Sequence, residues 1–236
     1  MNIINKSGAS LSALEQRIGY LFKNEKLLFK ALTHSSYANE MNIHKENNNE
    51  RLEFLGDAVL ELVTSEYVYR AHEDLAEGDL TKLRASIVCE QTLSSCAKDM
   101  NIGEYLLLGK GEDSSGGRLR ESILSDALEA IIGAIYLDGG FTNAKEFIHN
   151  NILTRVEQKQ LFFDSKTILQ EIVQNHKKKI RYKLISEEGP DHNKSFTMAL
   201  YIGSEKISCG VGKSKKAAEQ EAALQAIKKL QNSSDE

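Results

Sequence analysis

Three carboxylates in the stretch NERLEFLGDAVL share one face of a predicted helix. Glu50, Glu53 and Asp57 lie at positions i, i+3 and i+7, which at about 100° per residue keeps them within roughly 60° of arc. Because apolar residues surround them, we predict that this face is removed from solvent. Carboxylates crowded in such a setting repel one another and lose hydration, so they take up protons or bind a cation. The spacing therefore predicts a site for a divalent metal ion.

A second pair of acids lies in the run ILSDALEAIIGAIYLDGG, which is apolar almost all the way round and so predicts a central, buried helix. Asp126 and Glu129 are three residues apart and share a face of that helix. The two acidic faces are explained together if they meet around a metal ion. The alternative is that each acid caps a helix or pairs with a nearby arginine. The candidate arginines are Arg51, Arg118 and Arg120.

Further amphipathic runs predict the helices that must position these acids. LSALEQRIGYLF and EKLLFKALTHSSYANE come before them, a polar loop at residues 39–49 leads into the acidic helix, and LTKLRASIVCEQTLSSCAKDM follows it. His34, near a helix end, is expected to make a structural hydrogen bond. Lys82 and Arg84 either face phosphate or lie on a solvated surface.

The chain is divided in charge although its overall net charge is only −4. Residues 1–163 contain 17 Lys and Arg against 24 Asp and Glu, a net of −7, whereas residues 164–236 contain 13 against 10, a net of +3. With 236 residues the chain can form two domains. We interpret the division as metal chemistry in an acidic unit and polyanion binding in a basic one.

The C-terminal part has the element order α-β-β-β-α. KTILQEIVQNH and KKAAEQEAALQAIKKL have helical patterns, and the alternation in IRYKLISEEG and SFTMALYIGSEKISCGVGK predicts strands. Lys213, Lys215 and Lys216 lie at the start of the last helix, where the helix dipole already favours phosphate. Alternatively, these lysines only make the helix start soluble.

The cysteines and the distribution of apolar residues also indicate the cellular compartment. Cys89, Cys96 and Cys209 are odd in number and lack CxxC spacing, so the sequence supports neither a disulfide framework nor a zinc site and predicts free thiols. The N-terminus has no apolar signal-peptide run, and no stretch reaches about 18 uninterrupted apolar residues. We expect a soluble, cytoplasmic protein with no membrane partner.

Several motifs resemble those of bacterial ribonuclease III. NERLEFLGDAVLEL looks like the signature of that family, SDALEAIIGAIYLDGG resembles its second acidic helix, and ALTHSSYANE, EGDLTKLRASIV and LLLGKGE are also similar. KTILQEIVQ, GPDHNKSF and GVGKSKKAAEQEAA resemble a double-stranded RNA-binding domain. The resemblance implies an all-α endonuclease domain over residues 11–155, a linker over 156–163 and a small α+β (α-β-β-β-α) double-stranded RNA-binding domain over 164–233.

The family resemblance also implies the chemistry. The expected activity is Mg²⁺-dependent hydrolysis of double-stranded RNA to 5′-phosphate and 3′-hydroxyl ends, with Mn²⁺ able to substitute, in the processing of rRNA and other RNA. Matched residue by residue, Glu53, Asp126 and Glu129 are metal ligands, and Asp57, Glu129 and Glu50 are catalytic carboxylates. The family acts as a homodimer, and the apolar residues around Phe54 are compatible with self-association.

The RNA-binding residues are likewise implied by the resemblance. The last helix spans the major groove of A-form RNA, while the first helix of the domain and a loop meet successive minor grooves. The residues expected to contact RNA are Thr167, Gln170, Glu171, His192, Lys213, Lys215 and Lys216.

Two other functions compete with this one. A non-catalytic dimer that scaffolds double-stranded RNA would have lost at least one of the key acids, and all are present. A metal-dependent hydrolase of small phosphate esters leaves the basic residues 164–236 unexplained.

Overall fold

The structure, a computed structural model, describes residues 10–42, 44–174, 179–190 and 194–232. The chain forms two compact units, residues 1–156 and residues 157–236. Residues 156–163, expected to be a linker, are helical and belong to a helix that crosses this division. The domain boundaries given above therefore stay a prediction.

The described residues of the first unit are mostly helical, and Thr33 and Leu107 form an isolated bridge between two of the connecting segments. Its α-helices are α1 (Leu11–Ile18), α2 (Glu25–Ala31), α3 (Ser35–Glu40), α4 (Glu50–Ala71), α5 (Glu77–Val88), α6 (Glu90–Asp99), α7 (Lys110–Ser114), α8 (Glu121–Ile148) and the start of α9 (Thr154–Gln174). A π-helical segment, His149–Leu153, joins α8 to α9.

The core of this unit forms where α4 packs along α8. The prediction of a central helix is confirmed, because α8 is buried on almost every side between Ile123 and Ile135. The helix is kinked at Gly140, where φ is +81° and ψ is 179°. The backbone at Gly140 is not helical, so two helical runs meet at this kink.

One expectation about α4 is wrong. The acidic face was predicted to be surrounded by apolar residues that exclude solvent, but Phe54 is 80% exposed and Leu62 is 59% exposed. The reason is that α4 meets α8 with another face, which buries Leu52, Gly56, Val59, Leu60 and Val63. The acids lie beside that contact, so Glu53 is half-buried while Glu50 and Asp57 are open to solvent.

The second unit has the predicted α-β-β-β-α order. Its described residues form an antiparallel sheet of β1 (Ile180–Glu188), β2 (Ser195–Ile202) and β3 (Glu205–Gly212) in the order β1-β2-β3, with α9 before it and α10 (Lys215–Asn232) after it. Its core includes Leu169 of α9, Leu200 of β2 and Ala222 of α10. Ala223 and Ala226 of α10 also belong to this core.

Two compositional expectations can be compared with the structure. Cys89, Cys96 and Cys209 are free thiols, as predicted. None of the described helices has the length and apolar composition needed to cross a bilayer.

Candidate active site and RNA-binding surface

The structure brings three of the predicted acids together at the crossing of α4 and α8. Glu53, Asp126 and Glu129 each offer a carboxylate oxygen, and these oxygens all lie within 4.8 Å of one another. Each residue is half-buried. Mg²⁺ prefers oxygen ligands at about 2.0–2.1 Å, so three carboxylate oxygens this close together can reach one ion.

Crowding and burial raise the pKa values of this group. Burial, followed by the charges of Asp57, Glu53 and Asp126, raises the pKa of Glu129 to about 8. Burial and then the charge of Asp126, with smaller effects of Glu50 and Asp57, raise the pKa of Glu53. The charges of Glu50, Asp57 and Asp126 thus all act on Glu53, and those of Asp57 and Asp126 act on Glu129 as well. A divalent cation would relieve this repulsion, and the donor set fits Mg²⁺.

Asp126 has neighbours that the sequence did not indicate. Burial raises its pKa, a hydrogen bond from Ser125 opposes this, the charge of Glu90 raises it further and His34 lowers it. Ser125 could have been found because it precedes Asp126. Nothing in the sequence pattern placed Glu90, at the start of α6, or His34 beside α8.

His34 makes the structural hydrogen bond that was expected of it. Its Nδ1 accepts a hydrogen bond from the backbone N–H of Ser36 at 3.2 Å, which caps α3. Its own backbone N–H donates to the carbonyl oxygen of Leu107 at 3.1 Å, and the backbone N–H of Asn49 donates to Thr33 at 2.9 Å. These bonds fix the segment that leads into α4, and so the start of the acidic helix.

Two of the three candidate arginines form ion pairs with acids other than Asp126 and Glu129. Arg118 pairs with Asp113, its Nε lying 2.7 Å from Oδ1. Arg120 pairs with Glu112. Arg51 is exposed.

The sequence allows Lys82 and Arg84 either to face phosphate or to lie on a solvated surface. In the structure both form ion pairs within the protein. Lys82 pairs with Asp79 on α5. Arg84 pairs with Glu61, which ties α5 to α4.

The predicted RNA-binding lysines are exposed around the N-terminus of α10. Lys215 and Lys216 begin that helix and Lys213 precedes it by two residues. The ammonium group of Lys215 lies 5.8 Å from the centre of the Phe196 ring. Cationic side chains therefore lie together at the N-terminus of a helix, where the helix dipole favours anions.

Thr167 and Gln170 are exposed on α9. Beside them, the Lys166 ammonium group lies 2.6 Å from a carboxylate oxygen of Glu219 on α10 and 4.9 Å from the centre of the Tyr182 ring. These contacts hold the exposed turn of α9 next to α10. Glu171 lies in the helical backbone of α9, and His192 lies outside the described residues.

Comparison with known proteins places both units in families. The ribonuclease-III-like family profile matches residues 24–156, and the double-stranded RNA binding motif matches residues 165–230. The chain is 50% identical over 224 residues to Ribonuclease 3 of Caldanaerobacter subterraneus subsp. tengcongensis, covering 93% of this chain and 98% of the relative. It is 47% identical over 223 residues to Ribonuclease 3 of Oceanobacillus iheyensis, with the same coverage.

The first unit is also similar to a solved structure of the ribonuclease III family. The nuclease domain of ribonuclease III from Campylobacter jejuni, studied for structural flexibility in a region involved in dimer formation, is 48% identical to this chain. That similarity has a TM-score of 0.57 and covers 60% of this chain and 95% of the solved one.

Proposed function

Because the chain belongs to the ribonuclease III family and is an endoribonuclease with a double-stranded RNA binding motif, we propose that it hydrolyses double-stranded RNA with Mg²⁺ to leave 5′-phosphate and 3′-hydroxyl ends. The observation that carries this proposal is the group of carboxylate oxygens from Glu53, Asp126 and Glu129 within 4.8 Å of one another. Mn²⁺, which also accepts oxygen ligands, is expected to substitute.

In this proposal Glu53, Asp126 and Glu129 hold the ion. When bound, Mg²⁺ supplies a positive charge that stabilises a phosphate in the transition state and lowers the pKa of bound water. Burial keeps the pKa of Glu129 near 8 in the ion-free protein, so this side chain loses its proton when the ion binds. Near neutral pH, the binding of the ion therefore favours the fully charged form of the ligand set.

Asp57 and Glu50 are assigned to catalysis rather than to direct binding of the metal ion. Both are exposed on the acidic face of α4, and their charges reach Glu129 and Glu53 respectively. An exposed carboxylate beside the metal ligands can orient the attacking water by accepting its hydrogen bond. Glu129 belongs to both groups.

In this proposal the second unit binds the RNA substrate. Lys213, Lys215 and Lys216 bind phosphates across the major groove, and Thr167 and Gln170 on α9 meet the minor groove. Glu171 and His192 are included on the family resemblance alone. Recognition by phosphate and 2′-hydroxyl groups would select a duplex rather than a base sequence.

We further propose a homodimer formed through the exposed apolar residues of α4. Phe54 is 80% exposed and Leu62 is 59% exposed, and single-chain proteins seldom leave such apolar patches uncovered. The proposed setting is the cytoplasm, where free thiols are stable, and the proposed substrates are rRNA and mRNA precursors. The proposed domains are residues 11–155 and 164–233, joined by the linker at 156–163.

The direct test incubates the full-length chain with end-labelled duplex RNA over a range of Mg²⁺ and Mn²⁺ concentrations. Cleavage that needs a divalent ion, with products that can be ligated through 5′-phosphate ends, is the expected result. RNA that is bound but stays intact at every ion concentration would identify a non-catalytic binding protein instead. Cleavage that persists in a chelator would contradict the assignment of the three metal ligands.

A further inference from the structure

The backbones of α4 and α8 come unusually close at two glycines. A Cβ atom placed on Gly56 would lie 1.8 Å from the carbonyl oxygen of Glu129. A Cβ atom placed on Gly133 would lie 2.2 Å from the carbonyl oxygen of Leu52. Both distances are far below the ~3.5 Å of ordinary nonbonded contact, so a larger residue at either position requires the two helices to move apart.

This close approach occurs beside the predicted metal ligands. Gly56 lies between Glu53 and Asp57 on α4, and Gly133 follows Glu129 by one helical turn on α8. The backbone oxygens that the two Cβ atoms would meet belong to Glu129 itself and to the residue preceding Glu53. The separation of the helices at the glycines is therefore also the separation of the ligand-bearing backbones.

We propose that Gly56 and Gly133 are positioning residues that set the spacing of Glu53, Asp126 and Glu129 for a small divalent cation. The proposal rests on the proposed function, because it takes these three acids as ligands. It adds that the contact between the two helix backbones determines which ion size the site selects. Neither glycine touches the ion.

The magnitudes agree with such a role. Relieving a 2.2 Å approach to ordinary contact moves the helices apart by roughly 1 Å. Mg²⁺ binds oxygens at about 2.0–2.1 Å and Ca²⁺ at about 2.3–2.6 Å, so the distance across the ion differs by roughly 0.5–1 Å. A methyl group at Gly133 would thus widen the site by about the amount that distinguishes the two ions.

The chain offers matched controls for this substitution. A Cβ atom on Gly103 would lie 2.4 Å from the carbonyl oxygen of Arg118, a similar backbone clash in the same unit but involving none of the acids. A Cβ atom on Gly78 of α5 would meet nothing within 4 Å. Gly103→Ala therefore measures the effect of a clash alone, and Gly78→Ala measures the effect of replacing a helical glycine.

The experiment measures thermal unfolding of the full-length chain without RNA over a range of Mg²⁺ or Ca²⁺ concentrations, from which the affinity for each ion is obtained. For Gly133→Ala we expect the ratio of Ca²⁺ to Mg²⁺ affinity to rise at least tenfold over that of the unsubstituted chain. Gly103→Ala and Gly78→Ala should leave this ratio unchanged, whatever their effect on the unfolding temperature. A folded Gly133→Ala protein with an unchanged ratio would overturn the proposal.

If Gly133→Ala is unfolded without ions, the same two ions are compared for their ability to restore its helical signal. Refolding at a lower Ca²⁺ than Mg²⁺ concentration would support the proposal, whereas the opposite order or no refolding would overturn it. An unsubstituted chain that neither ion stabilises would overturn the metal site itself. That result differs from a failure confined to the role of the glycines.

Discussion

Glu53 on α4 and Glu129 on α8 present carboxylate oxygens within 4.8 Å of each other across the contact of these two helices. Folding alone brings these half-buried acids together, since they come from distant parts of the sequence. Folding without a cation must therefore place negative charges side by side or keep at least one of them protonated. The raised pKa of Glu129 indicates the second outcome.

The stability of the ion-free protein should fall as the pH rises toward and through 8. The pKa of Glu129 is raised from its ordinary value of 4.5 to about 8, first by burial and then by Asp57, Glu53 and Asp126. A carboxyl group with a higher pKa in the folded state stabilises the fold fully below its unfolded pKa, and this contribution is lost as pH rises through the folded pKa. Unfolding temperatures measured in a chelator between pH 4 and pH 9 test this.

Glu129→Gln provides the comparison, because glutamine resembles the protonated acid at every pH. The fall in stability should be smaller in the variant than in the unsubstituted chain. Added Mg²⁺ should stabilise the unsubstituted chain more as the pH rises, since binding requires the ionised acid. Parallel pH curves for the two proteins would mean that Glu129 titrates near its ordinary pKa.

The same substitution should separate cleavage from RNA binding. We expect Glu129→Gln to lower the cleavage rate at least about a hundredfold, because loss of a carboxylate from the proposed ligand set would remove several kcal/mol of charge stabilisation. Affinity for duplex RNA without divalent ions should change less than about twofold, since the predicted phosphate contacts lie in the second unit. Single-turnover cleavage and gel-shift titration provide the two measurements.

Glu121→Gln is the matched control on the same helix. Glu121 lies in the first turn of α8, is exposed and pairs with Lys98 at 2.8 Å. Its loss should leave cleavage within about twofold, because exposed ion pairs contribute little. If binding and cleavage fell together in Glu129→Gln, the residue would be structural.

The sequence predicted which acids share a helix face better than it predicted their surroundings. The spacing of Asp126 and Glu129 identified one acidic face because helical periodicity is a local property. The exposure of Phe54 was mispredicted, since an apolar side chain in a helix can belong equally to a core or to an interface. The proximity of Gly56 to Glu129, and of His34 to Asp126, depends on which helices meet. Local pattern carries no information about that pairing.

Lys216→Gln should reduce both RNA affinity and its dependence on salt. Lys216 is exposed in the first turn of α10, where the helix dipole adds to its charge. Loss of one phosphate contact lowers the slope of log affinity against log salt concentration by about 1. Lys228→Gln, at the exposed far end of the same helix, should leave the slope unchanged. If the unsubstituted chain and both variants have the same slope, Lys216 does not contact phosphate.

Phe54→Asp should dissociate the proposed homodimer. Burying a phenylalanine side chain contributes about 1.5–3 kcal/mol and a homodimer loses two of them, so the dimer dissociation constant should rise about a hundredfold to ten-thousandfold, and the buried charges add to this. Sedimentation velocity over a concentration series measures the constant. Leu21→Asp is the control, because Leu21 is 72% exposed in the same unit. A dimer that is weakened only by Leu21→Asp would place the interface elsewhere.

A buried hydroxyl on α4 offers a test of the helix packing that positions the acids. Thr64 is fully buried, and its Oγ1 has no hydrogen-bond partner among the described residues. Thr33, 1% exposed, donates its hydroxyl to the carbonyl oxygen of Phe29 at 2.7 Å. A buried hydroxyl without a partner costs about 1–3 kcal/mol, whereas a satisfied one contributes about 1 kcal/mol. Valine replaces the hydroxyl with a methyl group of similar size.

Thr64→Val should therefore stabilise the first unit by about 1 kcal/mol, and Thr33→Val should destabilise it by about the same amount. Hydrogen exchange of the α4 amides in the full-length chain, followed across a urea titration, reports the free energy of unfolding of this unit. If Thr64→Val lowers that free energy as Thr33→Val does, the Thr64 hydroxyl has a partner in solution. Stabilisation by Thr64→Val alone would support the packing of α4 against α8 that brings Glu53 to Asp126 and Glu129.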